Sequence, residues 1–245
     1  MTRGGRCHPL SVLDDHSRFA LTVRACDNER EGTVRAHLTA IFRRFGLPER
    51  VLCDNGSPWG TAGDGVEHSA LSVWLLKLGV GVSHGRAGHP QTQGKLERFN
   101  RTLKAELLSR LHLRDIAHAQ HAMDAWRERY NTERPHEALD NHPPASRYTP
   151  SVRAFPERLI GPEYAPDEQV RRVSDGGIIC YHGREVRVGK GFIGERVAVR
   201  ATSHDGVVEV CLGAHTFGRV DLRAERAMPR RRLSLSTLTR PAGAG

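Results

Sequence analysis

Hydrophobic and polar positions repeat with two different periods along this chain, and the change of period divides it. From residue 9 to 25 the pattern predicts two strands around a turn: Pro9-Leu10-Ser11-Val12-Leu13, then Asp14-Asp15-His16-Ser17, then Phe19-Ala20-Leu21-Thr22-Val23. The period then lengthens. Val34, Leu38, Ile41, Phe42 and Phe45 recur at helical spacing, Asn28 with Glu31 three residues on offers a reciprocal cap, and Gly46 offers a stop. Arg50 to Cys53 reads as a short buried strand. A helix is expected over residues 67–78, with Leu71, Trp74, Leu75 and Leu78 on one face, and a strand from Val80 to Ser83. Two further helices are expected over residues 92–110 and 115–131. Strands and helices in this order predict an α/β design, a mixed sheet with helices packed on it.

Prolines 135, 143, 144, 150, 156, 162 and 166 rule out a long helix through the next stretch. We therefore expect a first domain over 1–140 and a linker over 141–168. After the linker the period becomes two. Ile178, Cys180, Val186 and Val188 flank a His182-Gly183 turn; Val197, Val199, Val208, Val210 and Leu212 flank Asp205-Gly206. Hairpins of this kind make a small all-β module over 169–223. The segment 224–245 is basic and is expected to be disordered.

A length of 245 residues is enough for one substantial core and a small second domain. The net charge of +9 favours a polyanionic partner such as nucleic acid. The cysteines, at 7, 26, 53, 180 and 211, are odd in number and none are paired as CxxC. Neither a disulfide framework nor a zinc site is indicated, which fits a reducing cytoplasm. The histidines form no HExxH pattern. No apolar run is long enough for a bilayer, and no signal peptide is expected at the start.

Two carboxylates stand in distinctive frames. Asp54 ends the apolar strand Val51-Leu52-Cys53 and precedes Asn55-Gly56, which lets the chain turn and leaves the acid at the carboxyl end of a strand. Ligands of open α/β sheets gather at such ends. Glu97 lies on the third helix. With Leu96 at the centre of the apolar face, Phe99, Leu103 and Leu107 fall beside it, while Gln93, Glu97, Asn100, Arg101 and Lys104 share another stripe. A strand-end acid and a helical acid can hold a divalent metal, and the surrounding cations suit a phosphodiester. Each also has an ordinary reading: Asp54 as a turn cap, Glu97 as the partner of Arg101 one turn on. Residues 91–114 carry Lys95, Arg98, Arg101, Lys104, Arg110 and Arg114 against Glu97 and Glu106, a surplus suited to a phosphate backbone.

Together the motifs Val51-Leu52-Cys53-Asp54-Asn55-Gly56-Ser57-Pro58-Trp59-Gly60 and His89-Pro90-Gln91-Thr92-Gln93-Gly94-Lys95-Leu96-Glu97-Arg98-Phe99-Asn100-Arg101-Thr102-Leu103 resemble the second and third acidic motifs of DDE transposases. These are the bacterial insertion-sequence transposases that share the retroviral integrase catalytic core. Leu13-Asp14-Asp15-His16-Ser17-Arg18 and Tyr130-Asn131-x-x-Arg134-Pro135-His136-x-x-Leu139 extend the match, which runs from residue 8 to about 145 and more loosely into the β module. The resemblance implies an RNase H-like integrase core, a mixed sheet flanked by helices, followed by a small C-terminal β-barrel. It implies Asp54 and Glu97 as catalytic metal ligands for two Mg²⁺ or Mn²⁺ ions, with Gln93, Lys95, Arg101 and Lys104 facing DNA. The separation of the two acids exceeds the spacing common in retroviral integrases, and the excess fits the Gly-rich insert 60–67.

One departure accompanies the match. The family's first catalytic Asp stands on a strand preceding Leu10–Leu13. Here only Met1 to Cys7 precede it, none acidic, and Asp14 and Asp15 correspond to a non-catalytic position. On that ground the chain is expected to be truncated at its start and unable to catalyse transposition by itself. Three activities follow: DNA transposition by metal-dependent phosphoryl transfer, a catalytically inactive DNA-binding remnant or regulator, or an RNase H-like nuclease. The partners implied are element ends and target DNA, with a homo-oligomer assembling on them. The expected place of action is the cytoplasm, at the nucleoid, with no membrane involved.

Overall fold

The computed structural model describes residues 7–54, 56–60, 68–84, 94–110, 112, 114–223 and 233–235. In chain order its elements are β1 (His8–Leu13), β2 (Ala20–Cys26), α1 (Glu31–Phe45), β3 (Arg50–Cys53), α2 (Ala70–Lys77), β4 (Gly81–His84), α3 (Gly94–Leu103) and α4 (Ile116–Thr132). The β elements β5 (Gln169–Arg172), β6 (Ile178–Tyr181), β7 (Arg184–Arg187), β8 (Arg196–Ala201), β9 (Val207–Leu212), β10 (His215–Asp221) and β11 (Leu233–Ser234) follow. Through α4 this is the strand and helix order that the hydrophobic periods predict; β6-β7 and β8-β9 are the two expected hairpins, and β5, β10 and β11 are additional to them. Contacts group the residues into two compact units, Met1–Cys53 with Ser83–Phe155, and Asp54–Val82 with Pro156–Gly245. That grouping differs from the sequence segments 1–140, 141–168 and 169–223.

In the first unit, β1 and β2 pair antiparallel from His8↔Cys26 to Val12↔Thr22, with a bulge at Val12/Leu13. Asp14 closes the turn: its Oδ2 accepts from Ser17 N at 2.8 Å and from Ser17 Oγ at 2.6 Å. α1 buries Val34, Leu38, Ile41 and Phe42. Its cap differs from expectation. The N-cap is Arg30, and Asn28 lies just upstream, its Oδ1 accepting from Arg30 N at 2.9 Å and Thr33 Oγ1 at 2.8 Å. The carboxamide therefore orders the helix entry from outside, and Glu31 opens the helix itself. Gly46 ends α1 at φ 79°, and a Cβ there would lie 2.4 Å from Ser151 O. The expected linker thus begins as a strap. Leu47 N donates to Arg153 O at 2.7 Å, Ser151 N to Phe45 O at 2.9 Å, and Tyr148 stacks on Phe19 at 4.3 Å.

The third helix is not continuous to residue 110. α3 gives way at Lys104–Leu108 to one π-helical turn, closed by Ser109 N on Lys104 O at 2.9 Å. Here Glu106 accepts from Trp126 Nε1 of α4 at 2.9 Å. Phe99 and Leu103 of α3, Ala20, Val23 and Ala25 of β2, and Ala119, Met123, Trp126 and Tyr130 of α4 form one buried cluster. Phe99 meets Tyr130 edge-on at 4.9 Å, and Trp126 stacks on Tyr130 at 5.2 Å.

A single mixed sheet does not form among the described residues; β1-β2 and β3-β4 are separate two-stranded ladders. One reason is visible at β2. Its outer edge is occupied by side chains of α4: Gln120 bonds Ala25 N (2.9 Å) and Val23 O (3.1 Å), and Asn131 bonds Ala20 N (2.8 Å) and Ala20 O (3.0 Å). Among the described residues the outer edge of β1 has no ladder partner. In the second ladder Arg50 Nη1 donates to Ser83 Oγ at 2.8 Å.

In the second unit, the sheets β10-β9-β8-β5 and β11-β7-β6 enclose one core, including Ile179, Tyr181, Val186, Phe192, Val197, Val208 and Val210. The expected barrel does not close as a continuous ladder among the described residues. The predicted turn is present: His182 and Gly183 both have positive φ, 47° and 73°, as a two-residue hairpin requires. The inward residues of β6 are Ile179 and Tyr181 rather than Ile178 and Cys180, because Ile179 is the cross-strand partner of the buried Val186. The expected disorder of 224–245 does not extend to Leu233 and Ser234, which pair parallel with Val186 and Arg187 on the open edge of β7. α2 belongs to this unit. Val73 and Leu76 enter the β core, and Lys77 Nζ donates to Glu195 Oε1 at 2.7 Å. No described helix is long and apolar enough to cross a membrane.

Candidate functional site

α3 divides its residues as its sequence dictates. Phe99 and Leu103 are buried and Leu96 packs beside them, while Glu97, Asn100, Arg101 and Lys104 are exposed. Glu97, with Gly94, Arg98 and Arg101, lines an open cleft of about 420 Å³. A carboxylate and two guanidinium groups therefore share one solvent-facing surface.

The other expected residues fall in varied settings. Lys95 Nζ donates to Asp15 Oδ1 at 2.7 Å and Oδ2 at 2.8 Å, so Asp15 is a partner of this cation and Asp14 is a turn cap. Lys104 opens the π-helical turn. Asp54 is exposed directly after β3, its Oδ1 accepting from Gly56 N at 2.9 Å, the turn-capping geometry open to an Asp at that position. Asp54 is the first residue of the second unit and Glu97 lies in the first. Gln93 lies outside the described residues.

The donor chemistry of Asp54 and Glu97, carboxylate oxygen only, fits a hard divalent cation. Among the described residues no group of three or more His, Cys, Asp or Glu side chains is gathered as a metal site.

Charged residues not singled out as site candidates stand around Tyr130 and His136, whose rings meet at 5.0 Å. Burial raises the Tyr130 hydroxyl to about 12, against the opposing pull of Arg134, Arg18 and Arg98. Burial and the same three cations hold His136 below the ordinary histidine value. Partial burial works to raise Glu106, but hydrogen bonds from Arg134 and Trp126 outweigh it, and the carboxyl stays below its usual range. The sequence signal was the Tyr130-Asn131-x-x-Arg134-Pro135-His136 motif, which marks the end of α4 but does not say what gathers there.

Models of the integrase core domain match residues 1–90 and 78–144, and a model of the IS481 family transposase C-terminal domain matches residues 168–228. An uncharacterized 31.7 kDa protein of insertion element IS407 from Burkholderia multivorans is 30% identical over 141 residues, covering 57% of this chain and 48% of that protein. An uncharacterized 39.2 kDa protein of insertion element IS476 from Xanthomonas euvesicatoria is 29% identical over 139 residues, covering 56% of this chain and 37% of that protein. The chain therefore spans about half, or less, of the length of these relatives. Among solved structures, the simian T-cell lymphotropic virus intasome in complex with PP2A regulatory subunit B56 gamma aligns with a TM-score of 0.46 at 14% identity, covering 86% of this chain and 76% of that one. With integrase-core matches followed by a transposase C-terminal match, the chain belongs to the integrase-core transposases of insertion sequences.

Proposed function

We propose that the chain serves DNA transposition or integration by metal-dependent phosphoryl transfer, the nicking of element ends and their joining to target DNA, with Asp54 and Glu97 supplying two of the carboxylates that this chemistry needs and a third required beside them. The observation that carries this reading is the exposed cleft of α3, where Glu97 shares a surface with Arg98 and Arg101. In this reading Asp54 and Glu97 are metal ligands, an assignment that rests on their sequence motifs. Arg101 and Lys104 hold backbone phosphates, and Lys95 joins them when it exchanges Asp15 for DNA; Gln93 belongs to the same stripe. Mg²⁺ or Mn²⁺, when bound, supplies Lewis-acid activation of the attacking oxygen and stabilisation of the leaving one. The β module assists DNA binding or assembly of a homo-oligomer on paired ends, and the protein works at the nucleoid.

The test is Mn²⁺-dependent strand transfer with duplexes carrying the element's own ends. Glu97→Gln and Asp54→Asn should each abolish transfer while leaving DNA binding intact. Hydrolysis without joining would instead identify a nuclease.

A second reading, a DNA-binding remnant without catalysis, is favoured by one observation: the acids nearest the chain's start are engaged elsewhere, Asp14 with Ser17 and Asp15 with Lys95. Binding without any metal-dependent reaction would select it.

A further inference from the structure

The apolar seam of α3 runs into an acid. Leu96, Phe99 and Leu103 recur at alternating helical spacing, and the next position of that series is Glu106. The three apolar side chains pack into the cluster shared with α4. Glu106 stands at the rim of that cluster, in the middle of the π-helical turn Lys104–Leu108. Its carboxylate takes two donors from outside α3. Trp126 Nε1 donates to Oε2 at 2.9 Å, and Arg134 Nη1 donates to Oε1 at 2.5 Å. Trp126 is only 4% exposed, and an indole N–H at that depth needs an acceptor. Glu106 supplies it.

Two kinds of contact therefore join α3 to α4. Those of Phe99 and Leu103 are apolar and non-directional, so on their own they tolerate a helix turned about its axis. Those of Glu106 are hydrogen bonds, which weaken steeply when misaligned. The π turn gives this difference a consequence. Ser109 N reaches back to Lys104 O at 2.9 Å, so the turn holds one residue more than an α-helical turn. Relaxation to α geometry would put the residues on its two sides out of phase by about 100°. In the present phase Phe99 and Leu103 before it, and Leu107 and Leu108 after it, pack on one cluster. Glu97 lies two residues before Phe99, about 200° around the helix. The direction in which it and its cleft neighbours Arg98 and Arg101 face follows the rotation of α3.

We propose that Glu106 is a positioning residue: by receiving Trp126 and Arg134 it holds the π turn, sets the rotation of α3 against α4, and thereby aims Glu97, Arg98 and Arg101. Glu106 acts through the helix and has no contact with metal or DNA in this role. Its value to the chemistry rests on the reading of Glu97 as a metal ligand; the lock itself does not.

The experiment measures the distance between two spin labels in the full chain, one on Asn100→Cys of α3 and one on Glu128→Cys of α4, both exposed positions. The accessible cysteines are first removed as Cys7→Ser and Cys180→Ser. Glu106→Gln keeps an oxygen acceptor and should leave the distance distribution unchanged. Glu106→Leu keeps the seam but removes the acceptor. It should shift or broaden the distribution by about 5 Å or more, the scale of displacement that a turn of about 100° gives a side chain on a helix about 10–12 Å across. Should Glu106→Leu not fold, Trp126→Phe with Arg134→Ala removes both donors and takes its place, with the same expectation. A distribution identical to that of the unaltered chain overturns the lock. Neither metal nor DNA enters this measurement, so its failure is distinct from that of the site reading. Full strand transfer by Glu97→Gln would sink the metal-ligand reading and leave the rotational lock standing.

Discussion

The side chain of Asn131 bonds both backbone groups of Ala20, 111 residues away: Ala20 N donates to Oδ1 at 2.8 Å, and Nδ2 donates to Ala20 O at 3.0 Å. Both residues are buried, Asn131 at 1% exposure and Ala20 at 0%. Asn131→Ala would strand a buried donor and weaken the bonding of a buried acceptor, at about 1–3 kcal/mol for each group left unpaired. Urea unfolding should show a loss of roughly 2 kcal/mol or more. A loss below about 0.5 kcal/mol, the scale of ordinary surface substitutions, would mean that water replaces the carboxamide freely.

α2 fills part of the β core through Val73 and Leu76. Leu76→Ala should destabilise the second unit by about 2–4 kcal/mol. A fragment of residues 156–245 alone lacks this helix, and should bind a hydrophobic dye and unfold at lower denaturant than the full chain's second unit. Gly191→Ala should act in the same direction, because its Cβ would lie 2.0 Å from His68 O, a backbone atom. A fragment as stable as the intact unit would show that α2 packs without supporting the core.

Acid should weaken the fold. His136 and His37 are held below the ordinary histidine value, by burial first and by Arg134, Arg18 and Arg98 or by Arg24 second. For a base whose folded pKa is depressed, the unfolded chain takes up protons first, so stability falls as pH drops below about 6.5. Glu106, also held low, adds a second loss as pH falls from the unfolded carboxylate value through its folded one. Melting temperature against pH should decline below about 6.5, and the decline should flatten in a His37→Gln/His136→Gln variant. A rise in stability between neutral pH and that first step would contradict the assignment.

Asp15→Asn should leave stability nearly unchanged, within about 1 kcal/mol, because the Lys95–Asp15 pair is a surface bridge. DNA affinity should rise and its salt slope steepen, since Lys95 is released and a negative charge is removed. Weaker binding would instead mean that Asp15 holds Lys95 in its binding position.

Much of this was legible before the structure. The split of α3 into Phe99 and Leu103 against Glu97 and Arg101 follows from helical spacing, and the His182-Gly183 turn follows from its residues. The facing of β6 was not legible, because Ile178-Ile179-Cys180-Tyr181 is apolar at every position and only the pairing of Ile179 with Val186 decides it. Long-range partnerships were equally hidden. Nothing local in Val73 or Leu76 points to a β core about a hundred residues on, and nothing in Asn131 announces that it binds the backbone of Ala20.

The carboxamides of Gln120 and Asn131 imitate peptide groups, so α4 presents β2 with a counterfeit strand. The contacts fall on Ala20 N and O, Val23 O and Ala25 N, the groups that an incoming strand would have to engage. A foreign chain that docks along β2 must first displace two carboxamides held by α4, so the helix guards that side of the hairpin against edge-to-edge pairing.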